Sequence, residues 1–139
     1  MTITYFAYGA NLDADAMQRR CPGAEMLVPA TLPEHRLVAM QEGWLSVQPD
    51  PDQTVEGLLW RLETTHLQAL DLYEEVPDGV YTHRHAKIHP VDAAPREALI
   101  YQGRNHGPGR LHGEYAERVA RAAERILGPE AAARIRALG

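Results

Sequence analysis

Seven short segments of strand character constrain this chain more than any other feature. They fall at residues 3–8, 26–32, 36–40, 45–48, 55–62, 81–89 and 98–102, separated by Pro, Gly and Asp. Several alternate in polarity or are rich in β-branched and aromatic side chains, which suits a half-buried pleated surface. So many strands in succession, with few helices between them, point to a mixed, mainly antiparallel sheet curled into a small β-barrel with flanking helices, an α+β fold. Residues 49–52, Pro-Asp-Pro-Asp, read as a local loop between two strands. A domain boundary there would leave halves too small to fold readily, so residues 1–139 are expected to form a single domain.

The helical signals are fewer. Asp13 is a good N-cap for a short helix through Arg20, and Thr64 and Thr65 offer caps for a second helix through Glu75. Tyr115, Val119, Ala122, Ala123, Ile126 and Leu127 recur at three- and four-residue spacing until Gly128-Pro129 stops the run. A last, alanine-rich helix starts near Pro129, a residue suited to a first helical turn.

The junction between the first strand and the first helix is the place to look for an active site. Residues 5–12 read Tyr-Phe-Ala-Tyr-Gly-Ala-Asn-Leu. Gly9 is free to take a positive φ and Asn11 tolerates such turns, which would leave backbone N–H groups unpaired where the helix starts. Such donors suit a carboxylate, a phosphate or a developing oxyanion. The plainer alternative is a turn that binds nothing.

Glu74 is the most informative carboxylate. At about 100° per residue, positions 70 and 74 both fall close to Leu67 on the helix surface, so Glu74 projects along the apolar stripe. Desolvation there raises a carboxyl pKa and makes it a useful proton shuttle near neutrality. In the alternative, Glu74 merely pairs with an arginine at the helix end. Asp71 and Glu75 lie further round and read as solvated.

Other chemistries find less support. With a formal net charge of −5, the chain lacks the cationic surface on which nucleic-acid affinity depends. Arg19-Arg20 and the arginines at 118, 121, 125, 134 and 136 read as solvated helix faces. Cys21, the sole cysteine, stands beside Pro22 at a helix end where the dipole disfavours a thiolate. His83, His85 and His89 share one strand face with Lys87, a cation that opposes metal binding, so an exposed polar face is expected and no metal. His106 and His112 belong to a Gly-rich loop, 103–113, that is either a lid or simply mobile. Ser46, the sole serine, lacks a nucleophile elbow. With no signal-peptide pattern and no stretch of about 18 apolar residues, a cytoplasmic protein with no membrane association is expected.

Tyr5-Phe-Ala-Tyr-Gly-Ala-Asn-Leu12 resembles the Tyr-Gly-Ser-Asn-Leu signature of the gamma-glutamylcyclotransferase family. The likeness continues through Val55-x-Gly-Leu-Leu-Trp60-x-Leu and Leu70-Asp-x-x-Glu-Glu-Val76, with Tyr81 seven residues after Glu74, and ends in the helix near Tyr115. It implies a barrel-like α+β fold, a homodimer as is common in the family, and an enzyme that needs no cofactor. Such enzymes release 5-oxoproline from a small gamma-glutamyl compound as the glutamyl amine attacks its own side-chain carbonyl. The resemblance makes Glu74 the catalytic acid and base. It assigns substrate binding to Tyr8, Gly9, Ala10, Asn11 and Leu12, with Tyr81 and Trp44 in the pocket wall. Two positions depart from the family pattern: Ala10 replaces a serine, and Glu75 replaces a glycine. The competing expectations are a non-catalytic small-ligand-binding domain on the same fold and, behind it, a metal-dependent hydrolase built on the histidine strand.

Overall fold

A computed structural model describes residues 2–139. The elements are β1 (Thr2–Ala7), α1 (Ala14–Arg20), β2 (Glu25–Ala39), β3 (Leu45–Glu63), α2 (Thr64–Tyr73), β4 (Tyr81–Pro90), β5 (Arg96–Gly103), α3 (Gly113–Leu127) and α4 (Pro129–Arg136), with a 3-10 turn at Ala10–Leu12. The five strands close a barrel in the order β1-β3-β2-β4-β5. Among the described residues, the β1–β5 pairing, Tyr5 with Leu99, is parallel and the other pairings are antiparallel. The expected mixed, mainly antiparallel barrel with flanking helices is therefore the observed fold.

The segments expected at 26–32 and 36–40 are two halves of β2, and those at 45–48 and 55–62 are two halves of β3. Together they form one long hairpin closed at Ala39 and Leu45. Residues 49–52 are thus not a loop between separate strands. Pairing passes from His35 with Pro49 to Pro33 with Thr54, so residues 50–53 oppose Glu34 alone. That bulge bends both strands at once, and Glu34 meets it with φ 60°.

Gly57 lets β1 and β3 meet closely. A Cβ there would fall 2.5 Å from the Phe6 ring and also strike the Ala7 carbonyl. The glycine of the Val55-x-Gly segment is thus fixed by packing. Around it Phe6, Leu58, Leu59, Trp60 and Leu62 are fully buried.

Asp13 caps α1 as expected, its side chain accepting from the N–H groups of Asp15 (3.0 Å) and Ala16 (3.3 Å). α2 starts differently from expectation. Glu63, not a threonine, is the N-cap, and its N–H donates to His66 Nδ1 at 3.0 Å. His66 Nε2 then donates to the Pro22 carbonyl at 2.7 Å, tying α2 to the end of α1. α3 buries Tyr115, Val119, Ala122 and Ala123 as its periodicity requires, and Gly128, at φ 107°, ends it before Pro129 opens α4. None of the described helices is long and apolar enough to cross a membrane.

Candidate active site

One cavity of about 260 Å³ opens where β1 runs into the 3-10 turn, walled by the β2–β3 connection, the end of α2 and the start of α3. All six tyrosines of the chain line it: Tyr5, Tyr8, Tyr73, Tyr81, Tyr101 and Tyr115. Glu74 and Glu75 lie at one side, with Gly9, Ala10 and Asn11 forming another.

Glu74 is the C-cap of α2, half-buried, and its carboxylate joins no hydrogen bond or ion pair to protein among the described residues. Burial pushes its carboxyl up from the ordinary 4.5 to about 7. The Arg20 guanidinium pulls against that rise, and the Glu75 carboxylate adds to it. The expected desolvation of a carboxylate at the edge of the apolar stripe is present, and the charge of Glu75 reinforces it. The alternative of a direct arginine ion pair is not what the structure contains.

Of the two carboxylates expected to be solvated, Asp71 is more engaged than that, whereas Glu75 is exposed as expected. Asp71 accepts the Tyr101 hydroxyl at 2.6 Å and lies 3.6 Å from His83 Nε2. Glu75 lines the cavity rim. Arg20 is likewise no free solvated cation: its guanidinium donates to Asn11 Oδ1 at 2.5 Å and lies over the Tyr73 ring, 3.8 Å from the centroid.

The turn itself differs from the positive-φ geometry expected of it. Gly9 has φ −129°, and Asn11 sits inside the 3-10 turn. What singles out Gly9 is close approach, since a Cβ there would lie 3.3 Å from the Tyr115 hydroxyl. The N–H groups of Gly9, Ala10 and Asn11 donate to no protein acceptor among the described residues. Leu12 differs: its N–H donates to the Gly9 carbonyl at 2.9 Å and its side chain is buried in the core, away from the cavity.

Of the expected wall residues, Tyr8, Trp44 and Tyr81 all line the cavity. Trp44 is half-buried and packs edge-on to Tyr115, with ring centroids 5.0 Å apart. Tyr8 donates its hydroxyl to the Tyr101 carbonyl at 2.6 Å, and Tyr81 donates to the Leu45 carbonyl at 2.5 Å. Tyr5, Tyr73, Tyr101 and Tyr115 were not legible as site residues. Each comes from a different element, and only closure of the barrel brings them together.

The remaining candidates stand apart. Cys21 is fully buried, burial pushes its thiol up, and its sulfur lies 3.6 Å from the His66 carbonyl. His83, His85 and His89 are exposed along β4, as expected of a polar strand face. Ser46 is buried and accepts the Gly103 N–H at 2.8 Å, with His106 Nε2 at 3.0 Å, which fastens one end of the Gly-rich segment to β3.

The family model for gamma-glutamyl cyclotransferase, AIG2-like proteins matches residues 5–118, a span that includes Glu74 and every residue lining the cavity. The chain belongs to this family. Gamma-glutamylcyclotransferase of Mus musculus is 32% identical over 90 residues, 58% of this chain and 48% of the mouse protein. The Homo sapiens protein of the same name is 28% identical over 97 residues, 63% of this chain and 52% of the human one. The matched stretch thus spans about half the length of these curated relatives. A solved gamma-glutamyl cyclotransferase superposes with a TM-score of 0.91 at 21% identity, covering 100% of this chain and 89% of that one. An uncharacterized protein from Homo sapiens superposes at 0.89 with 22% identity, covering 99% and 88%. At these identities the superpositions establish the family fold.

Proposed function

We propose that this protein is a gamma-glutamylcyclotransferase that releases 5-oxoproline and a free amine or amino acid from a small gamma-glutamyl compound. The observation that carries the reading is Glu74, a carboxyl raised to about 7 and held without a protein partner in a cavity that also exposes free backbone donors. A pKa so close to neutrality lets one group accept a proton and return it at working pH.

The substrate's α-amino nitrogen attacks its own γ-carbonyl carbon, forming the ring C–N bond. Glu74 takes the proton from that nitrogen. As the oxyanion collapses, the bond to the departing nitrogen breaks, and Glu74 gives the proton to the leaving amine. General acid–base catalysis of this kind contributes on the order of 10² to 10⁴ in rate. Nucleophile and electrophile belong to one molecule, so holding the glutamyl chain folded supplies much of the rest.

In this reading the N–H groups of Gly9, Ala10 and Asn11 meet the substrate carboxylate or the oxyanion. Tyr8, Tyr81 and Trp44 wall the glutamyl moiety. Ala10 in place of serine is compatible with such a cradle, because the backbone supplies the donors. No step calls for a cofactor.

The test is 5-oxoproline release, measured by mass spectrometry, from gamma-glutamyl amino acids, gamma-glutamyl amines and glutathione. Release that disappears in Glu74→Gln supports the assignment. A folded protein that binds these compounds without releasing 5-oxoproline is instead a non-catalytic binding domain.

A further inference from the structure

Five of the six tyrosine hydroxyls around the cavity divide into two kinds when their protons are traced; the sixth, on the exposed Tyr73, joins no hydrogen bond to protein among the described residues. Tyr8, Tyr81 and Tyr101 each donate to a protein oxygen, so their protons are already committed. Tyr5 and Tyr115 instead receive hydrogen bonds, from Asn11 Nδ2 at 3.0 Å and from the Leu45 N–H at 3.4 Å. Neither donates its own proton to any protein acceptor among the described residues. A phenol that accepts at its oxygen keeps that proton for another partner.

For Tyr5 this direction is fixed by a cation. A guanidinium carries only donors, so Arg20, 2.5 Å away, must face the Asn11 carbonyl oxygen. The Asn11 amide then has only its NH2 left to face Tyr5, and the Tyr5 oxygen can only accept. Arg20, Asn11 and Tyr5 therefore form a one-way chain that starts at a positive charge and ends in an O–H at the cavity. Each bond in such a chain polarises the next, which makes the terminal O–H a stronger donor. The Leu45 bond to Tyr115 is longer and starts from a neutral group, so Tyr5 is the better polarised of the two.

We propose, on the cyclotransferase reading above, that Tyr5 is a further catalytic residue, its hydroxyl donating to the substrate's γ-carbonyl oxygen, with Asn11 and Arg20 as positioning residues that aim it. As the amine attacks, negative charge collects on that oxygen, and the aimed donor binds the charged form more strongly than the carbonyl. The same oxygen survives as the lactam carbonyl of 5-oxoproline, so the product engages the same hydroxyl. The phenol itself stays protonated throughout, because burial pushes its titration far above neutrality.

Asn11→Asp separates aiming from packing. It preserves shape and gives Arg20 a carboxylate partner, yet it removes the NH2 that makes Tyr5 accept. The Tyr5 proton then turns back toward position 11 and away from the cavity. The experiment compares Tyr5→Phe, Asn11→Asp and the double variant in the full chain, by plateau kcat and KM across pH and by 5-oxoproline binding in calorimetry. We expect each single variant to lose on the order of 10²-fold in kcat with KM little changed. Each should bind 5-oxoproline several-fold more weakly, and the double variant should be no worse than either single one. A Tyr5→Phe protein with unaltered kcat and product binding overturns the proposal, as does an Asn11→Asp protein that keeps both. If the unaltered protein binds 5-oxoproline but turns over nothing, the cyclotransferase reading fails, while the parallel loss of binding in both variants still upholds the donor. Absence of 5-oxoproline binding to the unaltered protein, with kcat unchanged in both variants, overturns the donor, whereas Glu74-dependent release of 5-oxoproline still upholds the cyclotransferase reading.

Discussion

Glu75 stands directly after Glu74 in the left-handed region, at φ 55°, and this reversal ends α2 with Glu74 facing the cavity. The N–H of Glu75 donates to the Leu72 carbonyl at 3.1 Å, and the N–H of Val76 donates to the Asp71 carbonyl at 2.9 Å. These are the two bonds of a Schellman motif, whose reversing position ordinarily belongs to glycine. The glycine expected at this position from the resemblance would thus have a conformational reason, and this chain, with Glu75 there, accepts strain. In return, it places a second carboxylate beside the first.

Glu75→Gly should therefore act twice. Relief of the left-handed strain, set against the extra freedom of an unfolded glycine, should stabilise the protein by about 0.5–1 kcal/mol. Removing the neighbouring charge should lower the Glu74 pKa and move the acid limb of kcat/KM to lower pH. Glu75→Gln separates the two effects, shifting the limb without the stability gain. Thermal unfolding and a pH–rate profile read them independently.

Arg20 acts on Glu74 with the opposite sign. Its guanidinium restrains the rise of the Glu74 carboxyl, so Arg20→Gln should lift the pKa above about 7 and move the acid limb to higher pH. Asn11 also loses the donor that orients its amide. The plateau rate should accordingly fall as well, a change that Glu75→Gln does not predict. A full pH profile of each variant distinguishes a shifted limb from a lowered plateau.

Local grammar makes part of this site readable in the sequence. Asp13 caps α1 because a carboxylate ahead of a helix satisfies free N–H groups, and Glu74 faces the cavity because of helical periodicity. What escaped was set by distant partners. Nothing near Arg20 in the chain distinguishes it from Arg19; its role comes from Asn11 and Tyr73, brought to it by the fold. Pro33-Glu34 and residues 50–53 carry ordinary turn signals, and only their apposition across the hairpin makes them one bulge inside two long strands. The tyrosines are alike in sequence. Nothing local to each tyrosine tells which of them have hydroxyls spent on the backbone and which have protons to spare.

The raised pKa of Glu74 also makes a statement about stability. The unfolded carboxyl titrates near 4.5 and the folded one near 7, so between these values the folded state retains a proton that the unfolded chain has released. This contribution favours folding fully below about pH 4.5 and is lost as pH rises through 7. Glu74→Gln removes the dependence. At pH 8 the variant should be more stable than the unaltered protein by about 1–3 kcal/mol while its turnover is lost. Denaturant unfolding at pH 5 and pH 8 tests this, with the difference between the two proteins larger at the higher pH.

Gly9 and Tyr115 offer a prediction that isolates packing from chemistry. A Cβ on residue 9 would sit 3.3 Å from the Tyr115 hydroxyl and 3.7 Å from Leu45 Cδ1, tighter than comfortable contact for the first and ordinary for the second. Gly9→Ala should therefore fold with a loss of about 1 kcal/mol and with weaker substrate binding, because the cavity wall must shift. Tyr115→Phe alone leaves the Leu45 N–H without its acceptor, a cost of similar size. Combined, the second change removes the oxygen that the first one crowds. The double variant should be more stable than the sum of the single losses by about 0.5–1 kcal/mol. Strict additivity in a double-mutant cycle would mean that the new methyl group is absorbed elsewhere and that Gly9 is not held by Tyr115.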